Sequence, residues 1–345
     1  MTYLRNAWTI AAWTSELQPG SLLARTLLDE PLVLYRDASG TPHALADRCP
    51  HRFAPLSMGR LCDDGAALQC PYHGLRFDGS GACVHNPHGD GRIPQAAKVR
   101  SYPVVERWSG LWIWMGDAGL ADASRIPAFP FNDPEQWAVG TGSMIIDAPY
   151  ELEIDNILDL SHIEFMHPLF ASDAVRRGQV ECMQDGETVW CKRFMPDDHQ
   201  VPDFLRQAFQ VPSGPIDRWL HVRWNAPATM ALWAGGVASG TPTDQGVVSQ
   251  QAHCFTPQSP GRTHYFYSIA FPRAMGPLAE ELAAHNVTLL RGPFEHEDKP
   301  IVEAVGRGMG GVDLFELKPV LLPGDAAAVR ARRVLQSLTD KEKSA

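Results

Sequence analysis

The first third of the chain alternates short apolar runs with turn-forming residues. Residues 22–28 and 31–36 are two such runs, and the turn sequence Asp-Ala-Ser-Gly follows at residues 37–40. A similar turn lies at residues 77–81, and residues 111–115 are apolar at every position. Short runs with this punctuation predict β-strands joined by hairpin turns, and a strand that is apolar on both faces is predicted to be central. We therefore expect a small all-β unit in this part of the chain.

The rest of the chain combines helical and strand patterns. Residues 151–168 are predicted to be helical from their length and composition, and residues 277–291 and 294–305 are predicted to form two further helices. Between residues 180 and 275, apolar and polar positions alternate in most of the β-like runs. This alternation predicts an antiparallel sheet with one face towards a pocket.

The last forty residues carry their own signals. Four glycines within residues 306–311 predict a flexible loop. Asp325 is a suitable N-cap for a closing helix to about Leu338, and the charged tail after it is expected to be disordered.

A change in composition separates the two parts. Three prolines with interleaved aspartates predict a linker or covering segment at residues 121–142. The sequence thus predicts a first domain at residues 1–120 and a second domain at residues 143–340.

Composition and charge narrow the class of protein. The chain of 345 residues is 44% apolar with a formal charge of −10, which is typical of a globular protein and favours neither nucleic acid nor an anionic membrane as a partner. The N-terminus lacks the pattern of a signal peptide, and no run approaches the length of a membrane span. The seven cysteines have no framework spacing, which favours a reducing compartment. We therefore expect a cytoplasmic protein.

Two short motifs in the first domain carry metal-binding chemistry. The first is Cys49-Pro-His51, and the second is Cys70-Pro-Tyr-His73. Two cysteines and two histidines suit a Rieske [2Fe–2S] cluster, in which two histidines replace two cysteines on one iron. A Cys₂His₂ zinc site uses the same ligand types, but zinc fingers usually pair cysteine with cysteine and histidine with histidine. The mixed pairs favour the Rieske cluster.

A second concentration of polar residues lies in the predicted helix at residues 151–168. Unpartnered aspartates and histidines are costly in a buried helix, so their presence indicates a site. His162 and His167 would lie about 140° apart on an ideal helix, but Pro168 disfavours the helical conformation of His167 and lets its imidazole move round. Two histidines with one carboxylate form a triad that binds Fe(II) and leaves positions open for O₂. The pair Glu297-Asp298 is the best source of that carboxylate.

The chain resembles the oxygenase component of the Rieske non-haem iron oxygenases over nearly its full length, and among them the demethylating branch that includes vanillate and dicamba O-demethylases. The resemblance rests on both metal motifs and on these segments: Arg5-Asn-Ala-Trp8, residues 49–56, 70–75, 83–87 and 102–107, Asp155-Asn-Ile-Leu-Asp-Leu160 and Glu297-Asp-Lys299.

The resemblance implies an α+β fold with two domains. An N-terminal all-β Rieske domain would be followed by a helix-grip catalytic domain, in which an antiparallel sheet wraps on a long helix. A separate reductase carrying flavin and a [2Fe–2S] cluster would pass electrons from NADH, directly or through a ferredoxin. The reaction would be hydroxylation of a methoxy or methyl carbon with one atom of O₂, followed for an ether by loss of formaldehyde.

The same resemblance implies roles for individual residues. Cys49 and Cys70 would hold one cluster iron, and His51 and His73 the other. The mononuclear Fe(II) ligands would be His162, His167 and Asp298, with Asp298 preferred to Glu297 because it matches the family position, and Asn156 would lie near this iron. Asp159 would bridge a cluster histidine of one subunit and an iron histidine of the next in a head-to-tail homotrimer.

The substrate pocket is expected on the sheet face that meets the helix. Its predicted lining residues are Phe209, Leu232, Trp233, His253, Cys254, Phe255, Tyr265 and Leu289. By the resemblance, His253 would contact an acid group of an aromatic substrate, although an ordinary strand histidine is the alternative. Leu232 stands where the dicamba type has a carboxylate-binding Asn, and Leu289 stands near the position of its ring-stacking Trp. These departures favour a vanillate-like or other methoxy- or methyl-arene acid over dicamba, with Arg218 or Arg223 as a possible source of positive charge.

Three other readings remain open. An aromatic-ring hydroxylase of the same superfamily would differ in its product, which would be a hydroxylated ring without formaldehyde. A pure Rieske electron carrier would not need the second domain with its histidine pair. A zinc-binding structural protein would lack the visible absorption and EPR signature of a Rieske centre.

Overall fold

The computed structural model describes residues 3–62 and 65–344. The chain forms two compact units. The first comprises residues 3–126 together with Thr256–Pro260, and the second comprises residues 127–255 and 261–344. The change of unit at residue 127 falls within the segment 121–142, whose residues 137–142 belong to a long strand of the second unit.

The first unit is built from short antiparallel strands, which confirms the predicted all-β domain. Its sheets have the orders β1-β11-β10, β2-β3-β4-β9 and β5-β6-β7-β8. The all-apolar strand β11 is central in its sheet, as predicted, and its tryptophans are buried in the core. The strands are β1 Trp8–Trp13, β2 Leu22–Leu27, β3 Glu30–Arg36, β4 Pro42–Ala46, β5 Arg60–Cys62, β6 Ala67–Gln69, β7 Arg76–Phe77, β8 Cys83–His85, β9 Ser101–Tyr102, β10 Val104–Arg107 and β11 Gly110–Trp114.

The second unit contains one large antiparallel sheet with helices on one face, which confirms the predicted fold class. The strand order is β12-β18-β17-β16-β15-β14-β13. The long helix α5 (Pro277–Pro293) packs closely on β12 (Trp137–Ile146), where a Cβ at Gly140 would collide with the Ala283 carbonyl. The strands are β12 Trp137–Ile146, β13 Gln179–Asp185, β14 Thr188–Asp198, β15 Ile216–Asn225, β16 Thr229–Ala238, β17 Val247–Ser259 and β18 Arg262–Pro272.

The helices differ from the sequence prediction at three places. The window at residues 151–168 is not one helix, because the chain leaves the helical conformation at Asp159 and again at His167. The glycine-rich segment is helical to Met309, and the last helix continues through the charged tail, so both flexible segments were predicted wrongly. The helices are α1 Tyr150–Leu158, α2 Ile163–Met166, α3 Asp173–Arg177, α4 Asp203–Ala208, α5 Pro277–Pro293, α6 Lys299–Met309 and α7 Ala326–Ser344.

A wide helical turn joins α5 to α6. Residues Phe294–Asp298 form a π-helix, in which each backbone hydrogen bond spans one residue more than in an α-helix. Such turns occur frequently at functional sites. Among the described residues, no helix is both long enough and apolar enough to span a membrane.

Candidate active site

Two loops of the first unit bring the cysteine–histidine motifs together. Cys49 and His51 lie on the loop between β4 and β5, and Cys70 and His73 lie on the loop between β6 and β7. The ring centroids of the two histidines are 4.5 Å apart. In both loops the cysteine amide donates to the carbonyl oxygen five residues later, at 2.9 Å for Cys49 and 2.8 Å for Cys70. The loops therefore present equivalent side chains from equivalent backbone turns.

The thiols of this group face the core, whereas the imidazoles lie nearer the surface. Cys49 and Cys70 are buried in a hydrophobic cluster, His51 is exposed and His73 is half-buried. Burial raises the pKa of the Cys49 thiol to about 11. Two thiolates would therefore need a bound cation for stabilisation. This donor set fits a two-iron cluster with sulfur ligands on the inner iron and imidazole ligands on the outer iron.

In the second unit, two imidazoles and one carboxylate converge. One ligating atom from each of His162, His167 and Asp298 lies within 4.8 Å of the other two. Asp298 Oδ1 is 3.5 Å from His162 Nε2 and 3.3 Å from His167 Nε2. His167 and Asp298 are buried, and His162 is half-buried. Two imidazole nitrogens and one carboxylate oxygen in this arrangement could hold a ferrous ion.

The outer nitrogens of both histidines are fixed by neighbouring groups. His162 Nδ1 is 2.8 Å from the Asp159 carbonyl oxygen, and His167 Nδ1 is 2.6 Å from Glu297 Oε2. Hydrogen bonds of this kind set the tautomer and the ring orientation, so that each histidine presents Nε2 to the site. The π-helix gives its two consecutive acids different positions, with Asp298 among the converging atoms and Glu297 behind His167.

Burial and carboxylates shift the two histidines in opposite directions. Burial lowers the pKa of His162, and its interaction with Asp298 offsets this only in part. Burial also opposes protonation of His167, but the hydrogen bonds that its ring donates to Asp298 and Glu297 outweigh this effect and raise the pKa of His167.

Two polar residues of the 151–168 window contact the site as well. Asn156 Nδ2 donates to Asp298 Oδ1 over 3.2 Å. The Asp159 carboxylate accepts hydrogen bonds of 3.0 Å from Arg193 and from the Ser161 amide. Asp159 thus positions His162 through its backbone carbonyl, while its carboxylate is held by the guanidinium of Arg193 on β14. Arg193 was missed in the sequence, where an arginine in a strand carries no distinguishing signal.

One face of the large sheet forms a wall beside this centre. His253 Nδ1 is 2.6 Å from the Tyr265 hydroxyl, and both rings contact Phe294 of the π-helix. Burial lowers the pKa of His253 to about 4, so this imidazole is neutral near pH 7. Its Nε2 is buried and has no hydrogen-bond partner among the described residues. Leu232 lies on the same face, since its strand neighbour Met230 pairs with His253.

Four predicted lining residues lie elsewhere. Cys254 is on the opposite face from its strand neighbour His253. Trp233 is on the opposite face from Leu232, because consecutive strand residues alternate, and it stacks on Trp190 at 5.6 Å. Phe209 packs in a separate apolar cluster against Gly236. Leu289, on α5, is 39% exposed. The prediction of Trp233 as a pocket residue was wrong, and Phe209 belongs to a local core.

Neither arginine proposed as a source of positive charge is available to the wall. The Arg218 guanidinium is buried and forms an ion pair of 2.7 Å with Asp198. Arg223 donates to the Ala128 carbonyl and lies over the Trp233 ring, on the opposite face of the sheet.

A buried acid behind the site was also missed. Glu153 lies on α1 one turn before Asn156, is 1% exposed, and has an oxygen, Oε1, without a hydrogen-bond partner among the described residues. Burial, with the nearby charges of Asp298 and Glu303, raises the pKa of Glu153 to about 8. The signal was present in the sequence, because Glu153 stands between apolar residues that the helical pattern places inside.

Comparisons with known proteins agree with this pairing of sites. Residues 7–103 match the Rieske [2Fe-2S] domain, and residues 146–341 match the vanillate O-demethylase oxygenase C-terminal domain. The oxygenase component of dicamba O-demethylase from Stenotrophomonas maltophilia is 40% identical, with 99% of both chains covered. The oxygenase component of chloroacetanilide N-alkylformylase from Rhizorhabdus wittichii is 36% identical, over 97% of this chain and 95% of the relative.

A solved structure shows the same fold. The crystal structure of dicamba monooxygenase bound to 3,6-dichlorosalicylic acid matches with a TM-score of 0.91 and 37% identity, and the match covers 100% of both chains. A cluster domain followed by a non-haem iron domain defines the class as a Rieske-type oxygenase. The chain belongs to the family of the vanillate and dicamba O-demethylase oxygenase components, so it is an oxidoreductase of the monooxygenase type.

Proposed function

We propose that this protein is the terminal oxygenase of a system that demethylates an aromatic acid. It would use O₂ and two electrons from a separate reductase to hydroxylate a methoxy or methyl carbon, and a vanillate-like acid is the favoured substrate. The proposal rests on the convergence of His162, His167 and Asp298 beside the sheet face that carries His253, whose buried Nε2 has no hydrogen-bond partner among the described residues.

The residues of each centre fit the group proposed for it. The mononuclear iron would be held by His162, His167 and Asp298, and when bound it supplies the one-electron chemistry that activates O₂. Glu297 would keep His167 in the ligating tautomer, and Asn156 would orient the Asp298 carboxylate through their hydrogen bond.

The cluster would be held by the two equivalent loops of the first unit. Cys49 and Cys70 would bind one iron, and His51 and His73 the other. Reduction through NADH would come from a reductase with flavin and a [2Fe–2S] cluster, directly or through a ferredoxin. None of the seven cysteines is in a disulfide, which supports a cytoplasmic setting.

A head-to-tail homotrimer would bring the cluster of one subunit to the iron of the next. Large apolar side chains are exposed beside both centres: Tyr72 is 65% exposed next to His73, and Phe165 is 71% exposed between the iron histidines. Exposed apolar groups of this kind are typical of a surface that another protein covers. Asp159, whose carbonyl already holds His162, would link that histidine to the partner's cluster.

His253 would orient the acid group of the substrate. If the Tyr265 hydroxyl donates to Nδ1, the neutral ring carries its proton on Nε2, which is the atom without a partner. A buried N–H without an acceptor is costly, and a substrate carboxylate would supply the acceptor. Leu232 on the same face would contact the ring and offers no hydrogen bond.

The two atoms of O₂ end in two different products, the hydroxylated methyl group and water. A methoxy carbon gains a hydroxyl from one atom of O₂, and the other atom is reduced to water by two electrons and two protons. The resulting hemiacetal breaks its bond between the methylene carbon and the aryl oxygen, and yields a phenol and formaldehyde.

The test is a panel of methoxybenzoic acids, methylbenzoic acids and neutral analogues, incubated with the protein, a surrogate reductase and NADH. We expect formaldehyde and a phenol in equal amounts from at least one methoxylated acid. A hydroxylated ring without formaldehyde would instead identify a ring hydroxylase. Absence of a Rieske EPR signal after reduction of the purified protein with dithionite would overturn the proposal as a whole.

A further inference from the structure

Two cysteines of the catalytic unit face each other across neighbouring strands. Cys182 on β13 pairs directly with Cys191 on β14. Neither residue belongs to a metal centre, and both thiols are free. Cys182 is half-buried and Cys191 is buried, and their side chains lie on the same face of the sheet. We propose that Cys182 and Cys191 form a redox-sensitive dithiol that peroxide converts reversibly into a disulfide.

The strand register gives the two residues suitable spacing. The strands are joined by a two-residue turn, Gly186 and Glu187, closed by the pair Asp185 and Thr188. Such a turn is closed by a hydrogen-bonded pair, and bonded and non-bonded pairs then alternate along the ladder. The cysteines are the third pair beyond the closing pair, so they form a non-bonded pair.

Non-bonded pairs have the closer approach in an antiparallel ladder. Their Cα atoms lie about 4.5 Å apart, at the short end of the range of roughly 4.4–6.8 Å that disulfides occupy. Both side chains point to the same face, as directly paired residues do. A bond between the two sulfurs therefore needs local adjustment of the strands and no rearrangement of the fold.

The oxidation is balanced with hydrogen peroxide as the oxidant. The Cys182 thiolate attacks one oxygen of the peroxide and becomes a sulfenic acid, with loss of hydroxide. The Cys191 thiolate then attacks that sulfur, forms the disulfide and releases the second oxygen as hydroxide. Two thiols lose two electrons, and peroxide is reduced to two waters. An external dithiol reverses the reaction.

The charges around the pair act in both directions. Arg330 of α7 donates to the Cys182 carbonyl over 2.8 Å, and its charge favours the Cys182 thiolate. Arg193 favours the Cys191 thiolate, whereas Asp159 opposes it. Burial outweighs the arginines and raises the pKa of both thiols, to about 11 for Cys191. Oxidation should therefore be slow near pH 7 and faster at higher pH.

The pair is coupled to the iron site through one strand. Cys191 and Arg193 are two residues apart on the same face of β14, and Arg193 holds the Asp159 carboxylate at 3.0 Å. A disulfide that draws β13 and β14 together would move Arg193 and disturb this contact. Formation of the disulfide would then lower turnover when peroxide accumulates, a consequence that rests on the role proposed for Asp159.

The test treats the holoenzyme with increasing hydrogen peroxide and maps its peptides with and without reduction. We expect a peptide linked through Cys182 and Cys191 that disappears with dithiothreitol. The linkage should be absent in Cys182→Ser. It should persist in Cys62→Ser, the control, since Cys62 pairs with an alanine. Peptides in which Cys182 becomes sulfinic acid while Cys191 stays free would overturn the proposal, as would the absence of any linkage.

A second measurement addresses the coupling. Turnover of the oxidised wild type should fall severalfold and recover with dithiothreitol, whereas Cys182→Ser should show no recoverable loss. Equal turnover of the disulfide and dithiol forms would overturn the link to Asp159. Because the peptide map needs no substrate, its outcome is independent of the demethylase proposal.

Discussion

Replacing Glu153 by leucine should stabilise the catalytic unit, and the gain should grow as the pH rises. The carboxyl is fully buried, and its pKa is raised to about 8 in the folded protein from the usual value of 4.5. Below about pH 4.5 the carboxyl is protonated in both the folded and the unfolded state, so its ionisation does not lower the free energy of unfolding. Between the two pKa values the unfolded chain is ionised and must take up a proton to fold, so stability is lost as the pH rises. Above the folded pKa the loss is complete.

The magnitude follows from the size of the shift. One pKa unit corresponds to about 1.4 kcal/mol, so the penalty is about 3 kcal/mol at pH 7 and below 1 kcal/mol at pH 5. Leucine removes this penalty and also the cost of leaving Oε1 without a partner. Glutamine removes the penalty and keeps a buried polar group, so Glu153→Gln should share the pH dependence with a smaller gain.

The assay is urea unfolding of wild type and both variants, followed by fluorescence at pH 5, 6, 7 and 8. Protein without mononuclear iron should be used, because a cation at Asp298 would favour the ionised carboxyl. A stability difference that does not change between pH 5 and 8 would refute the reasoning. So would a loss of stability at pH 7 in Glu153→Leu with no corresponding loss in Glu153→Gln.

Three further predictions concern the centres. Asp298→Ala should lose the mononuclear iron, measured by metal analysis, while the EPR signal of the reduced cluster persists. The control Glu295→Ala, on the same helical turn, should keep both centres. Retained iron in Asp298→Ala would contradict the proposed ligand set. Asp159→Asn should retain both metals and slow product formation by orders of magnitude, and a normal rate in single-turnover kinetics would exclude the bridge. His253→Leu should weaken the binding of aromatic acids about tenfold or more, because one hydrogen bond to a charged group is lost. The binding of neutral analogues should hardly change. Equal effects on acids and neutral analogues in calorimetric titration would identify an ordinary strand histidine.

The sequence was informative where chemistry is concentrated in short motifs. The two cysteine–histidine loops, the histidine pair and the following acids could be found because such residues are costly unless they bind something. The pocket wall was harder, because its membership depends on which strand positions face inward. A one-residue error reverses that assignment, and Trp233 was misplaced for this reason.

Contacts between residues that are distant in the sequence could not be predicted from sequence patterns. The ion pairs of Arg193 with Asp159 and of Arg218 with Asp198 join residues about twenty or more positions apart, and neither arginine lies in a motif. The cross-strand pair of cysteines became visible only when the turn at Gly186 fixed the register.

The π-helix at Phe294–Asp298 makes this site intolerant of changes in chain length. Its extra residue gives Glu297 and Asp298 their separate positions, one behind His167 and one between the two histidines. Deleting one residue would restore an ordinary α-helical turn and rotate the following acid by about 100°. Substitutions at Phe294, Glu295 or His296 would leave this spacing unchanged, whereas a shortened or lengthened segment would move Asp298 away from the two histidines. Homologues that keep the chemistry should therefore vary here in composition and not in spacing.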